Sequence, residues 1–288
     1  MTEPWTIGRV LEWARKDFAD RGADSPRLEA ELLLAHALGL ARIDLYTRHD
    51  QPLGGQELAA FRVLVARRRQ HEPVAYIRGV REFHGHAFRV DRHVLVPRPE
   101  TEGVVDAVLE LLGPPSEPAT VSVLDIGTGS GCIAASVALA RSDVRVDAVD
   151  LSPDAAAIAR SNLEQLGVAG RVRVHVGDLY APVTPRRFAI IVSNPPYIPT
   201  GEIATLSADV REHEPALALD GGAVGDRVLA PLLHGARAHL EPHGAIVVEL
   251  GHGQAVHARA LAEAAGLTQI EVRRDLAGIE RVLIARIA

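Results

Sequence analysis

In the second half of the chain, short apolar runs rich in β-branched residues alternate with longer amphipathic stretches. The runs predict five buried strands, over residues 121–126, 145–149, 172–176, 189–192 and 245–249. The stretches between them predict helices, one through 104–112 and another that begins at Ser152-Pro153 and ends at Gly167. This alternation is typical of an α/β fold, a Rossmann-like, doubly wound parallel sheet with helices on both faces. Two last runs, 270–272 and 281–285, predict an antiparallel C-terminal hairpin on the same sheet.

The chain ahead of this α/β part divides into two smaller regions. Residues 1–75 lack strand alternation and carry apolar positions at helical spacing, and Ser25-Pro26 has the order of a helix cap followed by a first helical residue. Residues 76–98 scatter apolar side chains among glycines and histidines, which predicts a β-hairpin linker. We therefore expect a small all-helical domain at 1–75, a hairpin at 76–98 and the α/β domain at 99–288.

Composition and charge narrow the class of protein. The 288 residues include a single cysteine, Cys132, which excludes an internal disulfide and fits a reducing cytoplasm. No apolar run approaches the ~18 residues of a membrane span, and the N-terminus lacks the apolar core of a secretory signal. The net charge of −6 and pI of about 6.1 argue against a general nucleic-acid binder, which usually presents a basic face. We expect a cytoplasmic protein without a membrane or nucleic-acid partner.

The tetrapeptide Asn194-Pro195-Pro196-Tyr197 follows the predicted strand at 189–192. Two consecutive prolines continue neither a sheet nor a helix, and the first pushes the residue before it toward an extended conformation. The side-chain carbonyl of Asn194 and the backbone carbonyl of Pro195 would then point into the same space. Two such acceptors suit a planar NH2 group, and Tyr197 adds an aromatic face on which a flat amide or base can stack. The tetrapeptide is a candidate site for holding a nitrogen nucleophile.

A glycine-rich turn, Gly127-Thr128-Gly129-Ser130-Gly131, follows the predicted strand at 121–126 and precedes a small, apolar helical stretch. A strand, a glycine turn and a helix in this order bring the backbone of an α/β sheet close to a cofactor. The next predicted strand leads to Asp150, where a carboxylate can bind both hydroxyls of a ribose. The sequence therefore predicts a nucleoside-containing cofactor at this edge of the sheet.

The glycine spacing distinguishes between two such cofactors. The turn has the pattern G-x-G-x-G, whereas a pyrophosphate cradle is typical of G-x-G-x-x-G. Asp125, just before the turn, would repel a pyrophosphate and attract an ammonium or sulfonium cation. The pattern favours S-adenosyl-L-methionine over a nicotinamide dinucleotide.

Together these motifs resemble those of class I amino-methyltransferases. The residues that carry this resemblance are Asp125–Gly131, Asp150, Gly177-Asp178 and Asn194–Tyr197. A narrower resemblance, to the release-factor glutamine methyltransferases or HemK/PrmC family, rests on 73–79, Glu82-Phe83, 96–102, Asp209–Arg211, Glu214-Pro215, Arg274-Asp275, Gly278 and Arg281. It extends over nearly the whole chain and is loosest over about the first seventy residues.

The resemblance implies an S-adenosyl-L-methionine-dependent enzyme with S-adenosyl-L-homocysteine as its product. The acceptor it implies is the side-chain amide nitrogen of the glutamine in the Gly-Gly-Gln motif of class I peptide chain release factors, whose docking we assign to the helical domain. The implied cofactor-binding residues are Asp125, Gly127, Thr128, Gly129, Ser130, Gly131, Asp150, Asp178, Leu179 and Asn194. The implied catalytic and substrate-binding residues are Asn194, Pro195, Pro196 and Tyr197. No metal and no general base are implied.

Three alternatives stay open on the sequence. An exocyclic amino group of adenine or guanine in RNA or DNA is also planar with two N–H donors, but the acidic charge and the lack of an aromatic-basic stripe weigh against it. A cofactor-binding regulator without turnover would have no use for both the glycine turn and the tetrapeptide. A nicotinamide oxidoreductase conflicts with the glycine spacing and with the lack of a Tyr-x-x-x-Lys pair.

Other conspicuous residues have structural explanations beside functional ones. Glu100 and Glu102 can close the site near the cofactor or simply favour a helix N-terminus. Cys132 is expected to pack against the sheet, and the thirteen histidines show no metal-ligand spacing. Arg67-Arg68-Arg69 is interpreted as a solvated helix face. Gly54-Gly55-Gln56 repeats the release-factor tripeptide, but it precedes a predicted helix, where two glycines form a routine turn, and we expect a coincidence.

Overall fold

The computed structural model describes residues 4–115 and 120–287, which form two compact units. One unit comprises the described residues up to Gly79 together with Ser207–His213, and the other comprises the remainder of the described chain. None of the described helices combines the length and the apolarity needed to cross a membrane.

Helices and strands account for most of the described chain. The helices are α1 (Ile7–Asp20), α2 (Pro26–Leu38), α3 (Asp44–Thr47), α4 (Gly55–Arg68), α5 (Val74–Arg78), α6 (Glu102–Leu112), α7 (Cys132–Ala140), α8 (Pro153–Gln165), α9 (Ala208–His213), α10 (Ala216–Leu219), α11 (Leu229–His239) and α12 (Ala255–Ala264). The strands are β1 (Val80–Phe83), β2 (His86–Arg89), β3 (Val121–Ile126), β4 (Val144–Asp150), β5 (Val172–Val176), β6 (Phe188–Ser193), β7 (Leu240–Glu249), β8 (Thr268–Arg274) and β9 (Glu280–Arg286). Short 3₁₀ turns occur at Pro99–Thr101, Ala181–Val183 and Thr200–Thr205.

The first unit is all-helical, as predicted, and consists of α1–α5 with α9. Ser25 precedes α2 and Pro26 is its first residue, in agreement with the predicted cap. Gly54 lies at the N-cap of α4, where its N–H donates to the Glu57 carboxylate at 2.7 Å, so the Gly-Gly-Gln tripeptide is a turn that starts a helix. The core of this unit is apolar and includes Ile7, Phe18, Leu33, Leu34, Leu45 and Phe61.

The arginine cluster at the end of α4 links this helix to α1 and α2. Arg68 is only 10% exposed and donates from Nε to Glu29 of α2 at 2.7 Å. Arg69 pairs with Asp17 of α1 at 2.6 Å. The interpretation of Arg67-Arg68-Arg69 as a solvated face is therefore wrong for Arg68, because its charge is used between two helices of the same unit.

The second unit is built on a sheet with the strand order β5-β4-β3-β6-β7-β9-β8. The first five strands in this order run parallel, and β9 pairs antiparallel with both β7 and β8. This confirms the doubly wound sheet with an antiparallel C-terminal hairpin. The chain winds from β3 outward to β5 and then returns to place β6 on the other side of β3. Ligands of such sheets bind at the carboxyl ends of the strands beside this switch point.

Both faces of the sheet are covered, which explains why central strands such as β6 are mostly apolar. Along β3, Val123 enters a core shared with α6 and α7, while Leu124 enters the opposite core, shared with α11 and α12. Successive side chains of a strand point to opposite faces, so a strand buried on both sides needs a continuous apolar run.

Two elements differ from their predicted bounds by more than two residues. Strand β7 begins at Leu240, whereas the sequence predicted a start at 245. The prediction was short because the exposed Pro242 and His243 interrupt the apolar pattern in the first half of the strand. The predicted hairpin at 76–98 is confirmed only over Val80–Arg89, since α5 continues to Arg78 and residues 90–98 form no strand.

Asn162 of α8 ties the hairpin to the glycine turn. Its Oδ1 accepts from the Arg89 N–H at 2.8 Å, and its Nδ2 donates to the Arg89 carbonyl at 3.0 Å and to the Ser130 carbonyl at 2.8 Å. The Asn162 side chain is only 1% exposed, so water could not satisfy these backbone groups if the side chain were removed.

We predict that Asn162→Ala lowers the free energy of unfolding by at least about 2 kcal/mol, because each buried polar group left unpaired costs about 1–3 kcal/mol. Urea unfolding of the purified protein measures this difference. Glu164→Ala, an exposed change on the same helix, is the control and should remain within about 0.5 kcal/mol of the wild type. Equal stabilities for the two variants would contradict the prediction.

Candidate active site

A cavity of about 270 Å³ lies at the carboxyl ends of β3, β4 and β6. Most of the residues singled out from the sequence line it. They are Gly127, Thr128, Gly129, Ser130, Asp150, Asp178, Leu179, Asn194 and Pro196. Four others lie next to this cavity without lining it: Asp125, Gly131, Pro195 and Tyr197.

Glu100 and Glu102 do not line the cavity either. The Glu102 carboxylate accepts from the backbone N–H of His84 at 2.8 Å, at the turn of the β1–β2 hairpin, and Glu100 is exposed. Of the two explanations given for these acids, their positions in the first turns of a 3₁₀ turn and of α6 favour the helix N-terminus.

Asp125 lies beneath the glycine turn and is fully buried. Its Oδ2 accepts from the Thr128 hydroxyl at 2.6 Å and from the Ala134 N–H at 3.2 Å, so it joins the turn to the first residues of α7. Burial is the main reason that the pKa of Asp125 rises to about 7, and the two hydrogen bonds oppose this shift only in part. Asp125 therefore shapes the turn from below, and its Oδ1 has no partner among the described residues.

The glycines of the turn are required by its backbone. Gly127, Gly129 and Gly131 have φ values of 74°, 54° and 79°, a region that side chains with a Cβ rarely adopt. A Cβ on Gly131 would also lie 3.3 Å from that of Ala159 on α8. The turn is thus both left-handed and tightly packed against its neighbours.

Asp150 at the end of β4 is held by the backbone of two loops. Its Oδ2 accepts from the Gly129 N–H at 2.8 Å, and its Oδ1 accepts from the Ser152 N–H at 2.9 Å. Each carboxylate oxygen has a second lone pair, so Asp150 can still accept two hydroxyl hydrogens from the cavity that it lines. Burial raises the pKa of Asp150, and the two N–H donors oppose that shift.

The loop after β5 brings Asp178 and Leu179 to the same cavity. Gly177 donates its N–H to the Asp150 carbonyl at 2.9 Å, which anchors the start of this loop on β4. Leu179 has a φ of 45°, a left-handed conformation that is costly for a leucine.

Asn194 stands across the cavity from these groups, directly after β6. The parallel pairing of Ile126 with Ser193 places it beside the glycine turn, and a Cβ on Gly127 would lie 3.8 Å from the Asn194 carbonyl oxygen. The Asn194 Nδ2 donates to the Thr101 hydroxyl at 3.2 Å. The Asn194 Oδ1 has no hydrogen-bond partner in the described part of the chain and can accept from a ligand.

Known proteins match nearly the whole chain. The release factor glutamine methyltransferases of Geobacter sulfurreducens and Rhodopirellula baltica are each 44% identical to it. The matches cover 99% of this chain and 98% of the first relative, and 97% and 96% for the second. The chain belongs to the release factor glutamine methyltransferase family.

Other comparisons agree with this family. The PrmC N-terminal domain matches residues 9–79, and the methyltransferase small domain matches residues 104–211. A methyltransferase from Pyrococcus furiosus is 20% identical, with a TM-score of 0.52 over 69% of this chain and 87% of that one. The hMettl16 catalytic domain in complex with a MAT2A 3′UTR hairpin is 15% identical, with a TM-score of 0.58 over 78% and 82%. At these identities the two structures show the methyltransferase fold alone.

Two side chains outside the predicted site residues hold the tetrapeptide in place, Gln254 and Thr101. Gln254 donates from Nε2 to the Tyr197 carbonyl at 3.0 Å and accepts at Oε1 from the Gly251 N–H at 2.9 Å. The Thr101 hydroxyl accepts the hydrogen bond from the Asn194 Nδ2. Gln254 lies just beyond the predicted strand at 245–249, and this position at the functional edge of the sheet was the available signal.

The described residues contain no group of three or more His, Cys, Asp or Glu side chains arranged to hold a metal ion. Cys132 lines the cavity but is 8% exposed, and burial raises the pKa of its thiol to about 12. Its thiol is therefore protonated and poorly nucleophilic at neutral pH.

We predict that Asp125→Asn changes how stability depends on pH. The pKa of Asp125 is about 7 in the folded protein, above its ordinary value of 3.8. The protonated carboxyl group therefore contributes its full stabilisation below about pH 3.8, and this contribution is lost as the pH rises from there toward 7. The asparagine variant cannot lose a proton. Its free energy of unfolding relative to wild type should therefore rise between about pH 5 and pH 8. Urea unfolding at the two pH values measures this, and a constant difference would contradict it.

Proposed function

We propose that this protein transfers a methyl group from S-adenosyl-L-methionine to the side-chain amide nitrogen of the glutamine in the Gly-Gly-Gln motif of class I peptide chain release factors. The observation that carries the proposal is the 44% identity over 99% of the chain to a release factor glutamine methyltransferase. The reaction would act on the protein synthesis machinery in the cytoplasm and tune the termination of translation.

The cavity fits the proposed cofactor. Asp150 offers free lone pairs for two ribose hydroxyls, and Asp178 with Leu179 would meet the adenine, whose amino group donates and whose ring is apolar. Gly127–Gly131 would hold the amino-acid end, because their missing side chains leave room for a close backbone approach. When bound, the cofactor supplies a methyl group that its sulfonium has already activated.

Asn194 and its neighbours would hold the acceptor. An amide nitrogen is a poor nucleophile because its lone pair is delocalised into the carbonyl group. Hydrogen bonds from its two N–H groups to the Asn194 Oδ1 and the Pro195 carbonyl would increase the electron density on that nitrogen and orient it. Tyr197, with a pKa that burial raises to about 12, stays neutral and offers its ring as a stacking face.

The rate of methyl transfer would depend largely on how the acceptor nitrogen is positioned. Holding the nitrogen in line with the reacting carbon removes the entropy cost of a bimolecular encounter, a contribution of about 7–11 kcal/mol in favourable cases. The Ser193 hydroxyl donates to the Ile126 carbonyl at 2.7 Å and locks the ends of β6 and β3 together. This bond keeps the acceptor clamp and the glycine turn at a fixed separation.

The helical first unit would recognise the release factor as a folded protein. The supporting observation is the match of residues 9–79 to the PrmC N-terminal domain. We therefore assign residues 1–75 to docking, 76–98 to a linker and 99–288 to catalysis.

We predict that Asp150→Ala weakens the binding of S-adenosyl-L-methionine by about 10–100-fold, the loss expected when hydrogen bonds to a charged acceptor disappear. Isothermal titration calorimetry on the purified protein measures the Kd. Asp147→Asn is the matched control, because Asp147 lies on the same strand and is buried but pairs with His175 and Arg186 away from the cavity. Similar losses in both variants would refute the assignment of Asp150.

We predict that the wild-type protein labels the Gly-Gly-Gln glutamine of a class I release factor when it is supplied with methyl-labelled S-adenosyl-L-methionine. Asn194→Ala should lose at least about 100-fold in kcat, since the amide then lacks an orienting acceptor. Mass spectrometry of the release factor locates the label, and the exposed change Gln165→Ala is the control. Label on structured RNA and none on the release factor would overturn the substrate while keeping the cofactor.

A further inference from the structure

Gly251, which follows the end of β7, lies against the ring of Tyr197. A Cβ on Gly251 would lie 2.8 Å from the Tyr197 Cδ2, whereas non-bonded carbon atoms pack at about 3.5–4.0 Å. The Tyr197 ring therefore occupies the space that a side chain at position 251 would need. Gly251 is buried and its φ lies outside the left-handed region, so this contact, and not the backbone conformation, limits the size of the residue there.

The chain segment that carries Gly251 is fixed by hydrogen bonds. The Leu250 N–H donates to the Arg281 carbonyl at 2.7 Å, and the Arg281 Nη1 donates to the Leu250 carbonyl at 3.3 Å. The Gly251 N–H donates to the Gln254 Oε1 at 2.9 Å. Gly251 would have to break one of these bonds in order to move away from the ring.

The backbone of Tyr197 is fixed as well. Gln254 Nε2 donates to the Tyr197 carbonyl at 3.0 Å and to the Gly225 carbonyl at 3.2 Å. A Cβ on Gly225 would lie 2.4 Å from the Tyr197 carbonyl oxygen, so the two backbones pack directly against each other. Because neither Gly251 nor the Tyr197 backbone is free to move, a side chain added at position 251 has to displace the ring.

We propose that Gly251 is a positioning residue, whose missing side chain lets the Tyr197 ring lie against the end of β7 and so sets the place of the face on which the acceptor amide stacks. The functional part of this inference rests on the proposed methyl transfer. Tyr197 is only partly buried and does not line the cofactor cavity, so the position of its ring can be tested separately from cofactor binding.

A single methyl group at Gly251 is a suitable probe of this contact. In Gly251→Ala the ring has to move by about 1 Å to restore an ordinary carbon–carbon distance. A displacement of about 1 Å in a reacting group can cost about 100-fold in rate. We expect kcat on the release factor to fall by about 10–100-fold, with the KM for the release factor and the Kd for S-adenosyl-L-methionine within about threefold of wild type.

Gly103→Ala is the matched control. Gly103 lies in α6, and a Cβ there would meet no atom closer than the Val282 Cγ2 at 4.0 Å. The same methyl group should therefore leave kcat within about twofold of wild type, since an ordinary van der Waals contact displaces nothing. Equal losses of kcat in Gly103→Ala and Gly251→Ala would overturn the proposal.

A double-mutant cycle with Tyr197→Ala isolates the ring from the other neighbours of residue 251. In the wild type, Gly251→Ala should lower Tm by about 2–6 °C, the loss expected from overpacking. In the Tyr197→Ala background the same change should leave Tm unchanged or raise it, because alanine restricts the unfolded chain. The Gln254 Oε1, which would lie 2.9 Å from the added Cβ, is present in both backgrounds and cancels in the comparison.

Activity gives the second readout of the same cycle. Gly251→Ala should cost less than about threefold in kcat in the Tyr197→Ala background, where no ring is left to displace. A full loss in both backgrounds would overturn the proposal, and so would an unchanged kcat in Gly251→Ala alone. If Gly251→Ala does not fold, the double variant with Tyr197→Ala should fold, and its failure to do so would also overturn the proposal.

The two proposals fail in different ways. If the wild type does not label the release factor, the proposed function is wrong, and the Tm cycle still decides whether Gly251 positions the ring. If the wild type labels the glutamine and the cycle is additive, the function stands and the role of Gly251 is wrong.

Discussion

The site depends on the parallel pairing of β3 with β6. The register of Ile126 with Ser193 brings the ends of two strands together that lie far apart in the sequence, and the Ser193 hydroxyl fixes them with a bond of 2.7 Å to the Ile126 carbonyl. The glycine turn leaves β3 and the tetrapeptide leaves β6 at this point. The missing side chain of Gly127 lets the turn pass close to the Asn194 backbone. A shift of either strand would separate the cofactor side of the cavity from the acceptor side.

Buried polar groups turn this meeting point into a rigid site. Asp150 uses one lone pair of each oxygen on backbone N–H groups of two loops and keeps the others for the cavity. Asp125 binds Thr128 and Ala134 from below, which fixes the turn against α7. Such groups are costly to bury, and the raised pKa of Asp125 reflects that cost. In return, the loops are already ordered, so less conformational entropy is lost when a ligand binds.

The sequence predicted the parts of this arrangement that depend on local pattern. Strand β5 coincides with the predicted 172–176, because Val172, Val174 and Val176 alternate with Arg173 and His175 in this edge strand. The motif residues around Gly127, Asp150 and Asn194 were predicted to lie together since parallel strands end at one edge. The first half of β7 was missed because its exposed residues, Pro242 among them, break the pattern.

Side-chain partners across the fold could not be predicted in the same way. Asn194 and Thr101 are 93 residues apart, and nothing in either local pattern states that an amide will donate to that hydroxyl. A buried polar side chain does indicate that some partner is needed, because leaving it unpaired costs about 1–3 kcal/mol. It does not indicate which residue supplies that partner, since the partner comes from another element that only the folded chain brings near.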